Sequence, residues 1–455
     1  MAEGLGPAGG RSAIAAGRPS LGGAYWRLWT SAGLSNLADG IAKVALPLVA
    51  LRFTDSPTLI AGLAFTLLLP WLLFALPAGA LADRLDRRRA MVGANTVRAG
   101  LLAVLATTVV ADVASLPVLY AVAFCIGTAE TLYDTSAQSI TPQIVPKNLL
   151  SRANGRMLAA ELTANEFVGP PLGGFLVAAG VAAAFLAPAA LWVLAVGMLL
   201  LVPGTFRVQR TQRTTMRSDI AEGLRFLWRH RLLRTLAVMV GVGNFAATAA
   251  WSILVLYAVG PASAIGLSEP AFGVLLSTAA AGSLVGFFAA ELIERRFGRA
   301  RALLIAICGS ALLVGLPAMT DNPFLIGTGF FLSGIALALW NVVTVSLRQQ
   351  VTPNRLLGRV NSGYRLVGWG TRPLGAAAGG LLAQAVGLRA VFAVMAVLSL
   401  TTVAGMAQVS AGKVEAAERD AEHAEHAERA EHAEHAEHAE HAETVTDSAS
   451  TVRPE

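Results

Sequence analysis

The sequence predicts an all-α integral membrane protein, with twelve transmembrane helices in two pseudo-symmetric six-helix bundles. Three observations predict it. Of 455 residues, 55% are hydrophobic and only 14% charged, against about 25% charged in a soluble domain. Apolar runs of about 20 residues, the length that spans a bilayer's hydrocarbon core, occur twelve times. The chain also repeats itself. Pro146, Leu149, Leu150, Arg152, Asn154, Gly173, Gly180 and Phe185 return 207 residues later as Pro353, Leu356, Leu357, Arg359, Asn361, Gly380, Gly387 and Phe392. Gly79 likewise maps to Gly286, ahead of Glu291 and Glu294-Arg295-Arg296-Phe297-Gly298-Arg299. One shared offset implies two halves related by a parallel repeat, an arrangement that places a binding site between the halves near the membrane midplane.

The runs lie at about 27–52, 58–81, 90–111, 116–140, 154–180, 182–203, 232–259, 270–293, 301–320, 323–347, 360–386 and 388–409. They divide the chain into an N-terminal segment (1–24), a first bundle (25–203), a linker (204–231), a second bundle (232–410) and a tail (411–455). Within the linker, Asp219 to Trp228 reads as an amphipathic helix at the membrane surface. Residues 1–24 are rich in Gly, Ala and Pro and lack the short apolar core of a signal peptide, so the first spanning helix is expected to act as its own uncleaved signal.

Net charge is +6, and all but three of the basic residues (Lys43, Lys147, Lys413) are arginines. In a soluble chain this balance would suggest a nucleic-acid partner. Here the arginines cluster in alternate loops: Arg84 to Arg89, Arg152 and Arg156, Arg207 to Arg234, Arg295 to Arg301, and Arg348 to Arg359. The opposite loops carry little beyond Arg52, Asp55, Asp112, Glu269, Asp321 and Arg389. By the positive-inside rule both termini lie in the cytoplasm. Cys125 and Cys308 fall inside apolar runs and read as packing residues, with no disulfide framework. Residues 421–443 repeat Ala-Glu-His six times with one Ala-Glu-Arg, and hold six of the seven histidines. This is a solvated low-complexity tail, or a weak metal binder, since His at i and i+3 can meet on a helix. No metal site and no cofactor are assigned.

The stretch Gly79-Ala80-Leu81-Ala82-Asp83-Arg84-Leu85-Asp86-Arg87-Arg88-Arg89 joins two apolar runs as a tight hinge. Its pattern resembles the loop between helices 2 and 3 of the major facilitator superfamily of transporters, where Gly is usual at the place of Asp86. Gly169-Pro170-Pro171-Leu172-Gly173-Gly174 resembles the helix 5 signature of that superfamily's drug and metabolite exporters. From the residues alone it also reads as a helix-packing seam, prolines breaking the backbone ladder and glycines admitting a neighbour. Ser35 to Pro47, Leu149 to Asn154 and Leu356 to Asn361 look like the branch that includes enterobactin exporters and macrolide efflux proteins. The resemblance implies that Asp83 pairs with helix 11 and, with Gly79, Arg84, Arg87, Arg88 and Arg89, gates the cytoplasmic side. The alternative for Arg87 to Arg89 is that they only set topology.

Charges inside a membrane are costly and mark function by default. Asp39 in helix 1, with Lys43 one turn on, either neutralises itself as an i,i+4 pair or carries the transported proton. Helix 4 offers Glu130 and Asp134, and helix 5 Glu161 and Glu166. Arg98, Arg365 and Arg372 are candidate counter-charges. Asp134 and Glu161 rank lower, as residues near the cytoplasmic interface. The arginine that twelve-helix drug/proton antiporters usually carry in helix 4 is replaced here by Tyr133-Asp134-Thr135. The tryptophans mostly fit interface belts, while Trp340 and Trp369 could stack on a flat substrate in the cavity, with core or belt as their other reading.

No phosphate-binding glycine loop and no soluble-enzyme constellation occurs, so an enzyme is not expected. The resemblance implies a monomeric, multi-pass transporter of the bacterial cytoplasmic membrane, with the bilayer and protons as partners and no nucleic acid. It would export a lipophilic or amphipathic small molecule (a drug, macrolide or siderophore-like metabolite) by proton antiport with alternating access. The rivals are a nutrient importer or facilitator of the same fold, and a transport-inactive scaffold or sensor acting through its tail.

Overall fold

A computed structural model describes residues 20–206, 216–260, 263–353 and 356–409, with Gly412 and Arg419 alone beyond them. The Ala-Glu-His tail and most of the N-terminal segment lie outside the described residues.

Every predicted apolar run is helical. The first half comprises α1 (Gly22–Ala50), α2 (Pro57–Arg84), α3 (Arg87–Val110), α4 (Leu116–Ile144), α5 (Leu150–Glu161), α6 (Gly169–Ala179) and α7 (Val181–Leu200). A π-helical stretch, Leu162–Val168, joins α5 to α6, so the fifth run is one continuous rod. The linker forms α8 (Met216–Arg229), and the second half holds α9 (Arg231–Ala258), α10 (Glu269–Phe297), α11 (Arg299–Met319), α12 (Pro323–Val351), α13 (Leu357–Val386) and α14 (Leu388–Thr401), extended by a 3₁₀ stretch, Thr402–Gln408. Among the described residues, nine helices are long and apolar enough to cross a membrane, by length and composition. The three other rods are set apart by polarity or by a break in the ladder. The α1 helix, 29 residues long, carries Arg27, Asp39 and Lys43. In α13, 30 residues long, stand Arg359, Arg365 and Arg372. The fifth is divided by its π turn.

The sequence repeat is a repeat of backbone geometry. Leu149 N–H donates to Pro146 O and Leu356 N–H to Pro353 O, both at 2.9 Å, opening the fifth and eleventh rods alike. Both rods end at a glycine of positive φ, Gly180 at 150° and Gly387 at 88°, where a residue with a Cβ would be strained.

Packing explains where a cavity can form. At the end of the molecule that carries few arginines, one apolar core runs through both halves, with Leu46, Phe185, Tyr257, Phe330 and Phe392 among its buried members. At the arginine-rich end the core splits. One cluster around Leu236, Leu303 and Leu347 belongs to the second half, and another around Met91, Tyr133 and Leu199 to the first. The apolar cores of the two halves are continuous at one end and distinct at the other.

The eleven-residue hinge expected between the second and third runs is far shorter. Only Leu85 and Asp86 interrupt the helices, because Asp86 N-caps α3, accepting from Arg89 N–H at 3.1 Å. Its second oxygen accepts from Phe206 N–H at 2.7 Å, tying the turn to the chain beyond α7. Arg87 is buried and donates to Ser139 O at 2.8 Å, and Arg88 donates to Val202 O at 2.5 Å. Both arginines thus serve carbonyls near the ends of α4 and α7, which favour cations. Arg84 and Arg89 are exposed, while Gly79 and Asp83 fall within α2, the Asp83 side chain lying outside what the structure describes.

The helix expected in the linker forms as α8, and it packs on α13, with Gly223 directly against the backbone of Arg359 and Glu222 paired to the Arg359 guanidinium at 2.5 Å. One further expectation changes. Cys125 and Cys308 are exposed on α4 and α11, outside the packed interior.

Burial pushes the Asp86 carboxyl up, but the N–H groups of Phe206 and Arg89 and the charges of Arg88 and Arg89 outweigh it and hold the group below its ordinary 3.8. Its capping is therefore complete at neutral pH and lost only as pH falls through that lowered value. Asp86→Ala removes a cap and strands the Phe206 N–H, which lowers stability by roughly 1–2 kcal/mol, while Asp86→Asn keeps an acceptor and loses less. Thermal unfolding of the two variants in detergent at neutral pH checks the order.

Candidate functional site

A cavity of about 760 Å³ lies between the halves. Its walls come from α1, α2, α4, the fifth rod, α9, α10 and α13, with Asp39, Lys43, Glu130, Asp134, Glu161, Glu166, Trp369 and Arg372 facing it. The charges of α1 and α13 that face it, Asp39, Lys43, Arg365 and Arg372, are what make these two helices less apolar than their neighbours.

The helix 5 motif closes one end. Pro171 has no N–H to offer the carbonyl of Phe167, four residues back, and the ladder widens into the π turn just before it. The freed carbonyl accepts instead from Ser277 Oγ of α10 at 2.8 Å, a bond between halves. A Cβ at Gly169 would stand 2.6 Å from Gly40 Cα, and one at Gly173 would stand 2.8 Å from Ile41 O, so both glycines admit α1. Gly174 meets the backbone of Glu269 in the same way, and Gly273 of α10 meets that of Pro170. The motif is the seam of a three-helix junction. On the other side of the cavity, Thr58 Oγ1 donates to Gly380 O at 3.2 Å and Ser56 Oγ to Gln384 Oε1 at 3.3 Å.

Behind the first-half wall is Arg98 of α3, wholly buried and, contrary to expectation, not itself lining the cavity. Its Nη2 lies 2.8 Å from Asp39 Oδ1 and 3.7 Å from Glu130 Oε2. The Nη2 is ion-paired by distance yet makes no aligned hydrogen bond, so the attraction to the carboxylates is Coulombic more than directional. Nη1 donates to Asn95 Oδ1 at 3.2 Å, which also accepts from Ser35 Oγ at 3.4 Å. The guanidinium sits over the rings of Trp192, at 4.9 Å, and Tyr133, at 5.5 Å. Two carboxylates thus share one cation, and both reach the cavity.

Lys43 turns away from Asp39. Its Nζ pairs with Glu166 Oε1 at 2.6 Å, so the i,i+4 neutralisation is replaced by a bridge from α1 to the π turn. Asp134 and Glu161, expected near the interface, line the cavity. The second-half wall is basic and aromatic, and its aromatic face packs on Trp71 of α2 in the first half. Trp369 packs on Trp71 with ring centroids 4.9 Å apart, Arg365 lies over both rings at 5.5 and 5.8 Å, and Arg372 lies over Trp369 at 5.3 Å. Arg365 also donates to Gln138 Oε1 of α4 at 2.6 Å, crossing between halves.

Several expectations fail here for a plain reason: apolar-run position does not tell which face a residue takes. Trp340 is buried in the second-half core and does not line the cavity. Trp71 and Trp251, expected in interface belts, line the cavity, and Trp192 covers Arg98 in the interior. Trp71, Gln138, Asn36 and Asn165 are cavity residues that sequence reasoning did not single out. A polar amide within an apolar run was the available signal for the last three.

A helical fold in two pseudo-symmetric halves about a central charged cavity defines a membrane transporter of the major facilitator type. The chain belongs to the transmembrane secretion effector family of that superfamily, whose model matches residues 18–439. It is 29% identical over 376 residues to the multidrug efflux pump Tap of Mycobacterium tuberculosis, covering 78% of this chain and 85% of that one. It is 27% identical over 390 residues to the uncharacterized MFS-type transporter YfiS of Bacillus subtilis, covering 81% and 88%. In fold it is similar to the nucleoside transporter NupG, with a TM-score of 0.67 at 15% identity, covering 86% of this chain and 100% of that one. A bacterial homologue of the iron transporter ferroportin in its inward-facing state is as close, with a TM-score of 0.67 at 16% identity, covering 86% and 99%.

Removing a partner from a buried ion cluster costs about 3–5 kcal/mol. Arg98→Leu, which leaves Asp39 and Glu130 facing each other without a cation, is expected to fall in that range, and Arg98→Lys to lose less. Thermal denaturation of purified protein in one detergent and at one pH measures both.

Proposed function

We propose that the protein is a secondary active exporter that exchanges protons for a lipophilic or amphipathic small molecule by alternating access. The carrying observation is the Asp39–Arg98–Glu130 cluster. With both carboxylates ionised the trio has a net charge of −1, and one proton makes it neutral. Substrate and proton then compete for a group that faces the cavity, which is the requirement for exchange. The Trp71–Trp369 pair supplies a flat apolar surface beside these charges, suited to a molecule with both ring and polar character.

In this reading twelve rods cross the cytoplasmic membrane, including α1, the fifth rod and α13, whose charges face the cavity instead of lipid. The arginine-rich end lies in the cytoplasm, with both termini, and the cavity opens toward it. The Tap relative, a multidrug efflux pump, supports export, as does the helix 5 seam. Gly79, Asp83, Arg84, Arg87, Arg88 and Arg89 form the cytoplasmic latch in the opposite state, and the protein works as a monomer.

Uptake of lipophilic dyes and macrolides into everted vesicles tests the reading. Wild-type uptake is expected to follow an imposed proton gradient, and Asp39→Asn is expected to abolish the gradient-driven part. Movement only down the substrate's own gradient, at every pH, would make the protein a facilitator. Deleting residues 411–455 is expected to leave uptake intact, and a loss there would favour a role centred on the tail.

A further inference from the structure

A second concavity, about 520 Å³, lies on the flank of the second half, between α9 and the end of α14. Arg234 and Trp228 stand at its mouth, and Val238, Met239 and Val242 run along it. From Arg234 to Val242 the helix advances about 12 Å, so the groove has the shape of a short channel down the outer face. Gly405 keeps it open. A Cβ there would stand 2.7 Å from Met239 Sδ, and the side chain of anything larger would intrude on the groove. The lining threonines add little polarity, because Thr235, Thr401 and Thr402 turn their hydroxyls back to the carbonyls of Arg231, Leu398 and Ser399 at 2.9, 2.6 and 2.6 Å.

The mouth is strongly basic. Arg225, Arg229, Arg231 and Arg234 are all exposed, and none pairs with a carboxylate among the described residues. The neighbouring carboxylate, Glu222, is taken by Arg359. Arg234 makes one long contact, Nη1 to Trp228 O at 3.5 Å. An apolar channel with a cationic, indole-flanked mouth at the end of a spanning helix is complementary to one kind of molecule. A chain enters the channel, an anionic group sits at the mouth, and the indole lies at headgroup level.

We propose that this groove holds an anionic phospholipid of the surrounding bilayer, with its phosphate on Arg234 and one acyl chain along Val238, Met239 and Val242. The site is separate from the central cavity, and its test does not depend on transport. Native mass spectrometry and thermal shift of the full chain in detergent would compare dioleoyl phosphatidylglycerol with dioleoyl phosphatidylcholine. Phosphatidylglycerol is expected to be retained and to raise the melting temperature, and phosphatidylcholine to do neither. Arg234→Gln is expected to weaken phosphatidylglycerol binding about five-fold, the effect of one arginine at an anionic surface. Val238→Trp, at an exposed position that fills the groove, is expected to weaken it as well. Arg295→Gln, which removes the same charge from an exposed position elsewhere, is expected to leave it unchanged. The proposal is overturned if the two lipids behave alike, if Arg234→Gln or Val238→Trp binds as wild type, or if Arg295→Gln loses as much as Arg234→Gln. Stabilisation of equal size by inorganic phosphate alone would overturn the acyl-chain half of the site.

Discussion

The rest of the first half depends on one buried guanidinium. Arg98 has no exposure, and an ion so placed is tolerated only with compensation close at hand. That compensation comes from three helices at once: Asp39 of α1, Glu130 of α4 and Asn95 of its own α3. Trp192 of α7 covers the face of the ion. Four helices are thereby held in register by one charge, and the carboxylates that satisfy it are also the ones that open onto the cavity. In the proposed exchange, stability and function meet in the same three side chains.

The two halves share a backbone plan and divide the chemistry. The π stretch 162–168 of the fifth rod corresponds, by the 207-residue offset, to 369–375 in α13. On the first side that stretch places Glu166 against Lys43, and on the second it carries Trp369 and Arg372. One wall is acidic and the other is basic and aromatic. Because α8 is docked on α13 through Gly223 and Glu222, the linker is attached to the helix that bears the basic wall. In the proposed exchange, a rocking of one half against the other would carry the two walls apart, while the seam of Gly169, Gly173 and Gly174 lets the backbones stay in contact at the closed end.

Much of this was legible in the residues. Each apolar run became a helix, because a run of 20 apolar residues has few other ways to satisfy its backbone in lipid. The repeated Pro-x-x-Leu-Leu turns and the terminal glycines Gly180 and Gly387 announced the two halves. Arg98, Asp39, Glu130 and Glu166 stood out because ionisable groups are rare in such runs. Pairing was not legible. Lys43 lies one turn from Asp39 on α1, yet its partner comes from a π turn that no spacing rule foresees. Nor was facing fully legible: the sequence leaves both Trp340 and Trp369 open between cavity and core or belt, but Trp340 is core and Trp369, which stands between Arg365 and Arg372, lines the cavity. The Leu85–Asp86 turn was masked by its arginines, which read as a loop until Arg87 and Arg88 were seen to serve carbonyls on α4 and α7.

The most direct test of the central claim is proton release on substrate binding. A lipophilic dye or macrolide that the wild type transports is added to purified protein in weakly buffered detergent, and pH is followed with an indicator. Exchange at the Asp39–Arg98–Glu130 cluster predicts that protons appear in the medium as the compound binds, and that Asp39→Asn binds without releasing them. Binding with no proton release by the wild type, or equal release by Asp39→Asn, would contradict it.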